Sequence, residues 1–313
     1  RVGDAIVAQM ASPKTYHVKS FGCQMNVYDG ERMSELLSAE GMVVTTEADA
    51  DLVVLCVPVG AMGALAVEIG PHLKPGAVVT DVGSVKQAVV DAVAPHMPAG
   101  AHFIPGHPLA GTEYSGPQSG FATLFQNRWW LLTPLSDTDP VEIGRLRQFL
   151  EAMGANVDEM DVARHDLVLA VVSHTPHLIA YTMVGVADHM RRVSAHEVIK
   201  YSASGFRDFT RIAASDPTMW RDVFLTNKDA VLDILGRFAE ELFTLQRAIR
   251  TGDGDHLHAY FTRTRAIRRG IIEAGQDTAA PDFGRAVQHD PATPDPTTPD
   301  PVPPDPASPD KAH

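Results

Sequence analysis

Three short segments of the sequence bring together residue types that can exchange protons or bind carboxylates. In the first, residues 106–116 read GHPLAGTEYSG, in which a histidine precedes a proline and glycines flank both. Because proline restricts the backbone, we expect His107 to project from a rigid loop that follows a strand, with Glu113 nearby. A functional histidine and a structural one are both compatible with this pattern.

The second segment, RHDLVLAVVSHTPH at residues 164–177, places polar side chains on an otherwise apolar helix. On an α-helix Asp166 and His177 share one stripe, whereas His174 is displaced by about 80° from Asp166. Polar groups on such a face need partners when they are buried. The pattern therefore predicts a polar seam between helices or, as an alternative, a metal site built from His165, Asp166 and His174.

The third segment, SGFRDFTRIAASDPTMW at residues 204–220, contains two arginines close together. Arg207 and Arg211 suit bidentate recognition of carboxylates, and an internal ion pair with Asp208 is the competing interpretation. The triplet SDP that follows predicts a helix start, with a capping side chain at Asp216 or at the serine before it.

The elements that must position these segments begin at residue 51, where the sequence predicts an α/β sheet. The runs DLVVLCVPV and AVVTDVGS are typical of strands covered on both faces, and RWWLLTP predicts one more strand. Helical spacing between the strands implies right-handed crossovers and a parallel sheet. Ligands of such a sheet bind beyond the carboxyl ends of its strands, which here carry Pro58, Ser84 and His107.

Beyond residue 140 the pattern changes to long helices, predicted near 141–155, 161–190 and 221–252. Residues 167–186 form a nearly continuous apolar run, which is more apolar surface than one small helical domain can bury by itself. A homodimer through this region is therefore expected. From residue 277 the sequence repeats Pro-Asp and has almost no large apolar residue. This composition predicts a disordered acidic tail.

Composition narrows the class of protein. The chain has 313 residues, 44% of them apolar, and a net charge of −13, which argues against nucleic acid or an anionic membrane as main partner. We see no apolar run near the roughly 20 residues that span a bilayer and no signal-peptide layout, so a cytoplasmic location is expected. The two cysteines, Cys23 and Cys56, argue against a disulfide framework.

The motifs DVGSVK, GHPLAGTEYSG, HD followed by SHTPH, and GFRDFTRIAASDPTMW occur in the order seen in prephenate and arogenate dehydrogenases, and residues 48–275 resemble this family of tyrosine-pathway enzymes. The resemblance implies oxidative decarboxylation of prephenate or arogenate, with hydride transfer to NAD or NADP. It also implies an α/β then all-α fold. The implied domains are a Rossmann-like dinucleotide-binding domain at 1–138, atypical at 1–48, a helical substrate and dimerisation domain at 139–276, and a disordered tail at 277–313.

The resemblance also implies roles for individual residues. His107 would be the general base, Arg211 would clamp a substrate carboxylate, and Ser84 would lie between cofactor and substrate. The implied substrate-binding residues are Glu113, Asp166, His177, Arg207 and Trp220, with His174 as a supporting neighbour. The implied cofactor-binding residues are Val57, Pro58, Gly83, Ser84 and Thr112. No metal is implied.

The amino-terminal segment departs from that family. SFGCQMNVYDGER at residues 20–32 lies at a predicted strand-to-helix turn, yet it has a single glycine before Cys23 where a dinucleotide fingerprint would show three. Residues 14–55 instead resemble the amino-terminal end of tRNA methylthiotransferases, whose corresponding cysteine binds an iron–sulfur cluster. The chain has no third cysteine, so we expect the segment to complete the sheet without holding a cluster.

Two alternatives accompany the leading function. One is a catalytically impaired dimeric homologue that binds substrate but lacks a competent dinucleotide site, because the fingerprint glycines are absent. The other is a metal-dependent hydrolase that uses His165 and Asp166. The residues distinguish neither NAD from NADP nor prephenate from arogenate.

Overall fold

A computed structural model describes residues 15–20, 34, 38, 43–44, 50–111, 123–191 and 203–273. Its central sheet has five strands: β1 Thr15–Ser20, β2 Val43–Val44, β3 Leu52–Cys56, β4 Val78–Asp81 and β5 His102–Phe103. They are parallel and lie in the order β2-β1-β3-β4-β5. The predicted parallel sheet is therefore confirmed, and the amino-terminal segment contributes two of its strands.

The central strand β3 is buried along its whole length, as its continuous apolar text predicts. Helices α1 Val59–Ile69 and α2 Gln87–Val93 follow β3 and β4, and each continues into a 3₁₀ turn, Gly70–His72 and Ala94–His96. Alternate β3 side chains enter two cores. One core contains Val53, Leu55, Met62, Leu65 and Val89, and the other contains Leu52, Val54, Phe125, Trp130 and Leu150.

A second, three-stranded sheet contains β6 Gly106–Pro108, β7 Trp129–Leu132 and β8 Asn156–Glu159. The strand predicted at RWWLLTP is confirmed as β7, but it pairs antiparallel with β6 and parallel with β8 and does not join the central parallel sheet. An apolar run shows that a strand is buried but does not identify its pairing partner. Helix α3 Pro140–Ala152 connects β7 to β8 and is capped by Asp139, which accepts from the Val141 N–H at 2.9 Å.

The long apolar helix is not uniform. It contains α4 Val162–Leu169, a π-helical segment Ala170–His174, and α5 Thr175–Arg191. A π turn holds more residues than an α turn, so the angular position expected for His174 on an ideal α-helix is wrong.

The stretch Val162–His189 has the length and composition of a membrane-crossing helix, contrary to the sequence-based expectation. In its most apolar window, 28% is buried inside the protein. The same stretch carries the buried polar residues His165, Asp166 and His174.

The remaining helices are α6 Ser204–Thr210, a 3₁₀ turn Arg211–Ala214, α7 Pro217–Thr226, α8 Lys228–Thr251 and α9 Gly254–Glu273. The predicted cap at Asp216 is confirmed, since its carboxylate accepts from the Met219 N–H at 2.8 Å. The single helix predicted over 221–252 is wrong, because the chain breaks at Asn227, whose side chain turns into the protein.

The chain forms two compact units, residues 1–244 and 245–313. In the second unit α8 ends before Gly252, which has a φ of +70° that favours glycine. Asp253 then caps α9 by accepting from the His256 N–H at 3.0 Å. The boundary predicted at residues 138 and 139 stays a prediction, and the predicted tail lies outside the described residues.

Candidate active site

His107 lies in strand β6 and is buried, with 7% of its surface exposed. The predicted loop position is therefore wrong: pairing of His107 with Leu131 of β7 makes the segment a short strand. His107 Nδ1 lies 2.9 Å from His165 Nε2. Burial lowers the pKa of His107 well below its usual range, and nearby His165, Lys86 and His174 lower it further, so the ring is neutral.

A buried ion pair between Asp81 and Lys86 holds the peptide that precedes His107. Lys86 Nζ donates to Asp81 Oδ2 and, at 2.6 Å, to the Gly106 carbonyl oxygen. The Gly106 N–H donates to Asp81 Oδ1 at 3.0 Å. A Cβ at Gly106 would lie 2.8 Å from Trp130 Nε1, so only glycine fits this clamp. The sequence pattern did not single out this pair, although DVGSVK places both charges beside a buried strand.

Asp166 joins the long helix to the amino terminus of α2. Its Oδ1 accepts from the Lys86 N–H at 2.7 Å, and its Oδ2 accepts from the Gln87 N–H at 2.9 Å. His165 Nδ1 lies 2.8 Å from Asp166 Oδ1. Burial alone would raise the pKa of Asp166, but the hydrogen bonds from His165 and the two backbone groups outweigh it and lower this pKa. Asp166 is thus an ionised carboxylate in a structural position.

Asn227, which the sequence did not single out, connects this cluster to His174. Its Nδ2 donates to the Asp166 carbonyl oxygen at 2.9 Å and lies 3.1 Å from His174 Nδ1. Burial lowers the pKa of His174 to about 4 against the opposing influence of Asp166. The signal that could have identified Asn227 is its position at the break between two helices, where its side chain can turn inward.

His177, Trp220 and Arg211 form a second, more accessible group. The rings of His177 and Trp220 stack with centroids 3.7 Å apart, and His177 Nδ1 donates to the Ser173 carbonyl oxygen at 2.8 Å. Burial lowers the pKa of His177, and the nearby charge of Arg211 lowers it further. This group therefore combines a cation, a neutral imidazole and an aromatic face.

The structure does not bring every predicted residue into these two groups. Arg207 is 74% exposed at its side chain and pairs with Asp208, which is the competing interpretation for this arginine. Thr112 and Glu113 lie outside the described residues. The positions predicted to bind cofactor follow the central strands: Val57 and Pro58 come after β3, and Gly83 and Ser84 come after β4.

The loop after β4 lies beside the second group. Val85 packs with Trp220 and Val223 in a small apolar cluster. Ser84 and Pro58 are partly exposed at the carboxyl edge of two paired parallel strands, the usual site for the nicotinamide end of a dinucleotide. These residues fit that half of the cofactor. The turn expected to hold the pyrophosphate falls within residues 21–33, outside the described residues.

The metal alternative finds no support in the geometry. Within the part of the chain that the structure describes, no group of three His, Cys, Asp or Glu side chains is arranged to hold a metal ion. Both ring nitrogens of His165 already contact other side chains, His107 and Asp166.

Comparison with known proteins decides the family. Residues 30–159 match the family model for the prephenate dehydrogenase nucleotide-binding domain, and residues 161–263 match the model for the prephenate dehydrogenase dimerization domain. The chain belongs to the prephenate dehydrogenase family. A cyclohexadienyl dehydrogenase of Zymomonas mobilis is 42% identical over 224 residues, which cover 71% of this chain and 76% of that protein.

A solved prephenate dehydrogenase has a similar fold. The structure from A. aeolicus in complex with hydroxyphenyl propionate and NAD+ shares 29% identity with this family member and has a TM-score of 0.75. The similarity covers 84% of this chain and all of the other. The predicted fold of the present chain, a Rossmann-like sheet followed by a helical region, is thus confirmed.

A short segment of the chain has a different relationship. Over 45 residues, 14% of the chain, it is 78% identical to a tRNA-2-methylthio-N(6)-dimethylallyladenosine synthase of Sphingopyxis alaskensis, of which it covers 10%. The second resemblance is therefore confirmed as well. The present chain, a member of the prephenate dehydrogenase family, thus includes a segment whose sequence matches another family. The described part of its amino-terminal segment, β1 and β2, nevertheless pairs with the central sheet.

Proposed function

We propose that this chain oxidises the ring hydroxyl of prephenate or arogenate, with loss of the ring carboxylate as carbon dioxide and hydride transfer to NAD or NADP. The observation that carries the proposal is the buried neutral His107, anchored at 2.9 Å to His165 beside the carboxyl edge of the parallel sheet. A neutral imidazole in this position can accept a proton near physiological pH. Family membership supplies the reaction class.

Different residues of the chain have different roles in this reaction. His107 takes the proton of the ring hydroxyl, and burial keeps it unprotonated beforehand. Arg211, near His177, binds a substrate carboxylate as a bidentate cation. A bound nicotinamide dinucleotide would supply the hydride acceptor, with Val57, Pro58, Gly83 and Ser84 holding its nicotinamide end. Prephenate and arogenate share the ring and differ in a side-chain keto or amino group.

A direct assay tests the activity. The purified chain is mixed with prephenate or arogenate and with NAD or NADP, and reduced nicotinamide and aromatic product are both measured. Turnover in at least one combination is expected, and the His107→Asn variant serves as the negative control. Substrate binding by calorimetry without turnover in any combination would instead select the catalytically impaired homologue, which no observation in the described residues favours.

The chain assembles as a homodimer through its helical region and acts in the cytoplasm. Support for the dimer comes from the dimerization-domain match and from apolar side chains left in solvent. These exposed residues include Val171, Val172, Met183, Val184, Leu232, Leu242 and Phe243. Several large apolar side chains exposed on one helical region are consistent with an interaction site there. Sedimentation velocity at micromolar concentration tests it, and a monomer there would contradict the proposal.

A further inference from the structure

A chain of hydrogen bonds leads from the backbone of α2 to the ring of His107. It passes from the N–H groups of Lys86 and Gln87 to Asp166, then to His165, and ends at His107 Nδ1. All contacts in the chain are between 2.7 and 2.9 Å. We propose that His165 is a positioning residue which, held by Asp166, keeps His107 in the tautomer whose Nε2 is unprotonated. This inference rests on the proposed function, in which His107 is the base.

The direction of each hydrogen bond follows from the fixed donors. Backbone N–H groups can only donate, so the two oxygens of Asp166 are acceptors at Lys86 and Gln87. An ionised Asp166 has no proton to give, so His165 Nδ1 must donate to Oδ1.

The tautomers of the two histidine rings follow from these donors and acceptors. Because burial lowers the pKa of His165, its ring is neutral, and a neutral imidazole with a proton on Nδ1 has a lone pair on Nε2. His165 Nε2 therefore accepts, and His107 Nδ1 must donate. A neutral His107 then has no proton on Nε2. That nitrogen is the one able to take the substrate's hydroxyl proton.

The charges around the two rings act in opposite directions: those near His107 keep its ring neutral before proton uptake, and the carboxylates near His165 stabilise a positive charge. Lys86 and His174 face His107, while Asp81, Lys86 and Asp166 act on His165. When His107 becomes an imidazolium, its Nδ1–H still points at His165. The Asp166 carboxylate, which lies on the far side of the His165 ring, then stabilises the new positive charge without moving.

Two variants of His165 separate positioning from packing. His165→Phe keeps an aromatic ring but removes the acceptor, and we expect kcat to fall by about 100-fold, within the usual range for general base catalysis. In His165→Gln the amide oxygen can accept from His107 while its NH₂ donates to Asp166, and kcat should recover to within about tenfold of wild type. KM should change less than about threefold in both variants, because His165 is fully buried, with 0% of its surface exposed.

The matched control is Val168→Ala, a partly buried position on the same helix whose apolar side chain cannot hydrogen-bond to any member of the relay. Its kcat should stay within about threefold of wild type, since it removes no transition-state interaction. A His165→Phe variant with kcat equally close to wild type would overturn the inference.

A spectroscopic measurement decides the tautomer without reference to activity. Nitrogen-15 imidazole spectra of the histidine-labelled chain, with His107 assigned by its loss in His107→Asn, should show Nδ1 protonated and Nε2 bare. A proton on Nε2 of His107 in the wild-type protein would overturn the relay even if the chain is fully active. Absence of turnover with a bare Nε2 would contradict the proposed function but not the relay. The measurement also remains decisive if His165→Phe fails to fold.

Discussion

The two sides of the candidate site satisfy their polar groups in different ways. On the base side, defined as Asp81, Lys86, His107, His165 and Asp166, every residue is buried and hydrogen-bonded to another residue of the protein. On the carboxylate side, defined as His177, Arg211 and Trp220, His177 and Arg211 are partly exposed. Trp220 Nε1 is buried there and has no hydrogen-bond partner in the described part of the chain.

This difference separates preorganisation from ligand recognition. Groups that take part in proton transfer gain from being fixed before the reaction, because no reorganisation is then needed in the transition state. Groups that bind substrate must keep hydrogen-bonding capacity that the protein does not use. The base side is therefore expected to affect kcat and folding stability, whereas the carboxylate side is expected to affect substrate affinity.

Removal of the base is the largest expected effect. In His107→Asn we expect kcat to fall by about 10³- to 10⁴-fold, because the proposed acceptor of the hydroxyl proton is removed. KM should stay within about threefold, since the base side does not provide the binding energy. Steady-state kinetics measures both, and His96→Asn, at an exposed histidine in a 3₁₀ turn, is the control. A loss below about tenfold would place the base elsewhere.

Breaking the buried ion pair is the next largest effect. Lys86→Met leaves the Asp81 carboxylate buried without its cation, and the free energy of unfolding should fall by about 3 to 5 kcal/mol. Urea denaturation measures the change. The control is Lys74→Met, which breaks a 2.8 Å pair with Asp51 whose side chains are both 31% exposed. Such a pair contributes at most about 1 kcal/mol, so equal losses in the two variants would contradict the comparison.

The buried histidines make stability depend on pH in a defined direction. His174 takes up a proton only near its folded pKa of about 4, whereas the unfolded chain does so near about 6.5. Between these values the unfolded state binds more protons, so stability is present above about pH 6.5 and is lost as pH falls towards about 4. His174 alone should contribute on the order of 3 kcal/mol to this loss.

Urea denaturation at a series of pH values measures this slope. In His174→Gln the slope should become shallower, because that side chain no longer titrates. Val168→Ala, which removes no titratable group, should leave the slope unchanged. The pKa values of His107 and His165 are also lowered and act in the same direction, so the slope should persist in part.

The smallest expected effect contrasts the two arginines. Arg211→Ala should raise KM by about 10- to 100-fold with a smaller change in kcat, since a hydrogen-bonded charge contributes about 1.5 to 3 kcal/mol. Arg207→Ala should change KM by less than about threefold, because its side chain is 74% exposed and engaged with Asp208. Steady-state kinetics with each substrate measures both, and a larger effect at Arg207 would reverse the assignment.

Much of the scaffold was predictable because local patterns set it. The apolar runs of β3 and β4, the helices after them and the cap at Asp216 all depend on neighbours close in the sequence. The separate sheet of β6, β7 and β8 was not predictable in this way. Strand partners are chosen by contacts between distant segments, which hydrophobic periodicity does not encode.

The residues of the candidate site also fall into those that local sequence could predict and those that it could not. His107, His177 and Arg211 could be proposed from the sequence because their motifs are contiguous and match those of a known family. Asn227 and the clamp formed by Asp81 and Lys86 could not, because their roles arise only when segments far apart in the chain meet. Lys86 and Asp166 are 80 residues apart, and Asn227 and Asp166 are 61 apart.

The sequence by itself thus determined the family, the strands β3 and β4 with the helices that follow them, and the residue types available for proton transfer and carboxylate binding. Only the tertiary structure decided which histidine side chains contact one another. His107 and His165 are 58 residues apart, and the π-helical segment changes the angular position of His174. The physical reason is that burial and hydrogen-bond direction, which set the charge and tautomer of a histidine, are properties of its packed surroundings rather than of its neighbours in the chain.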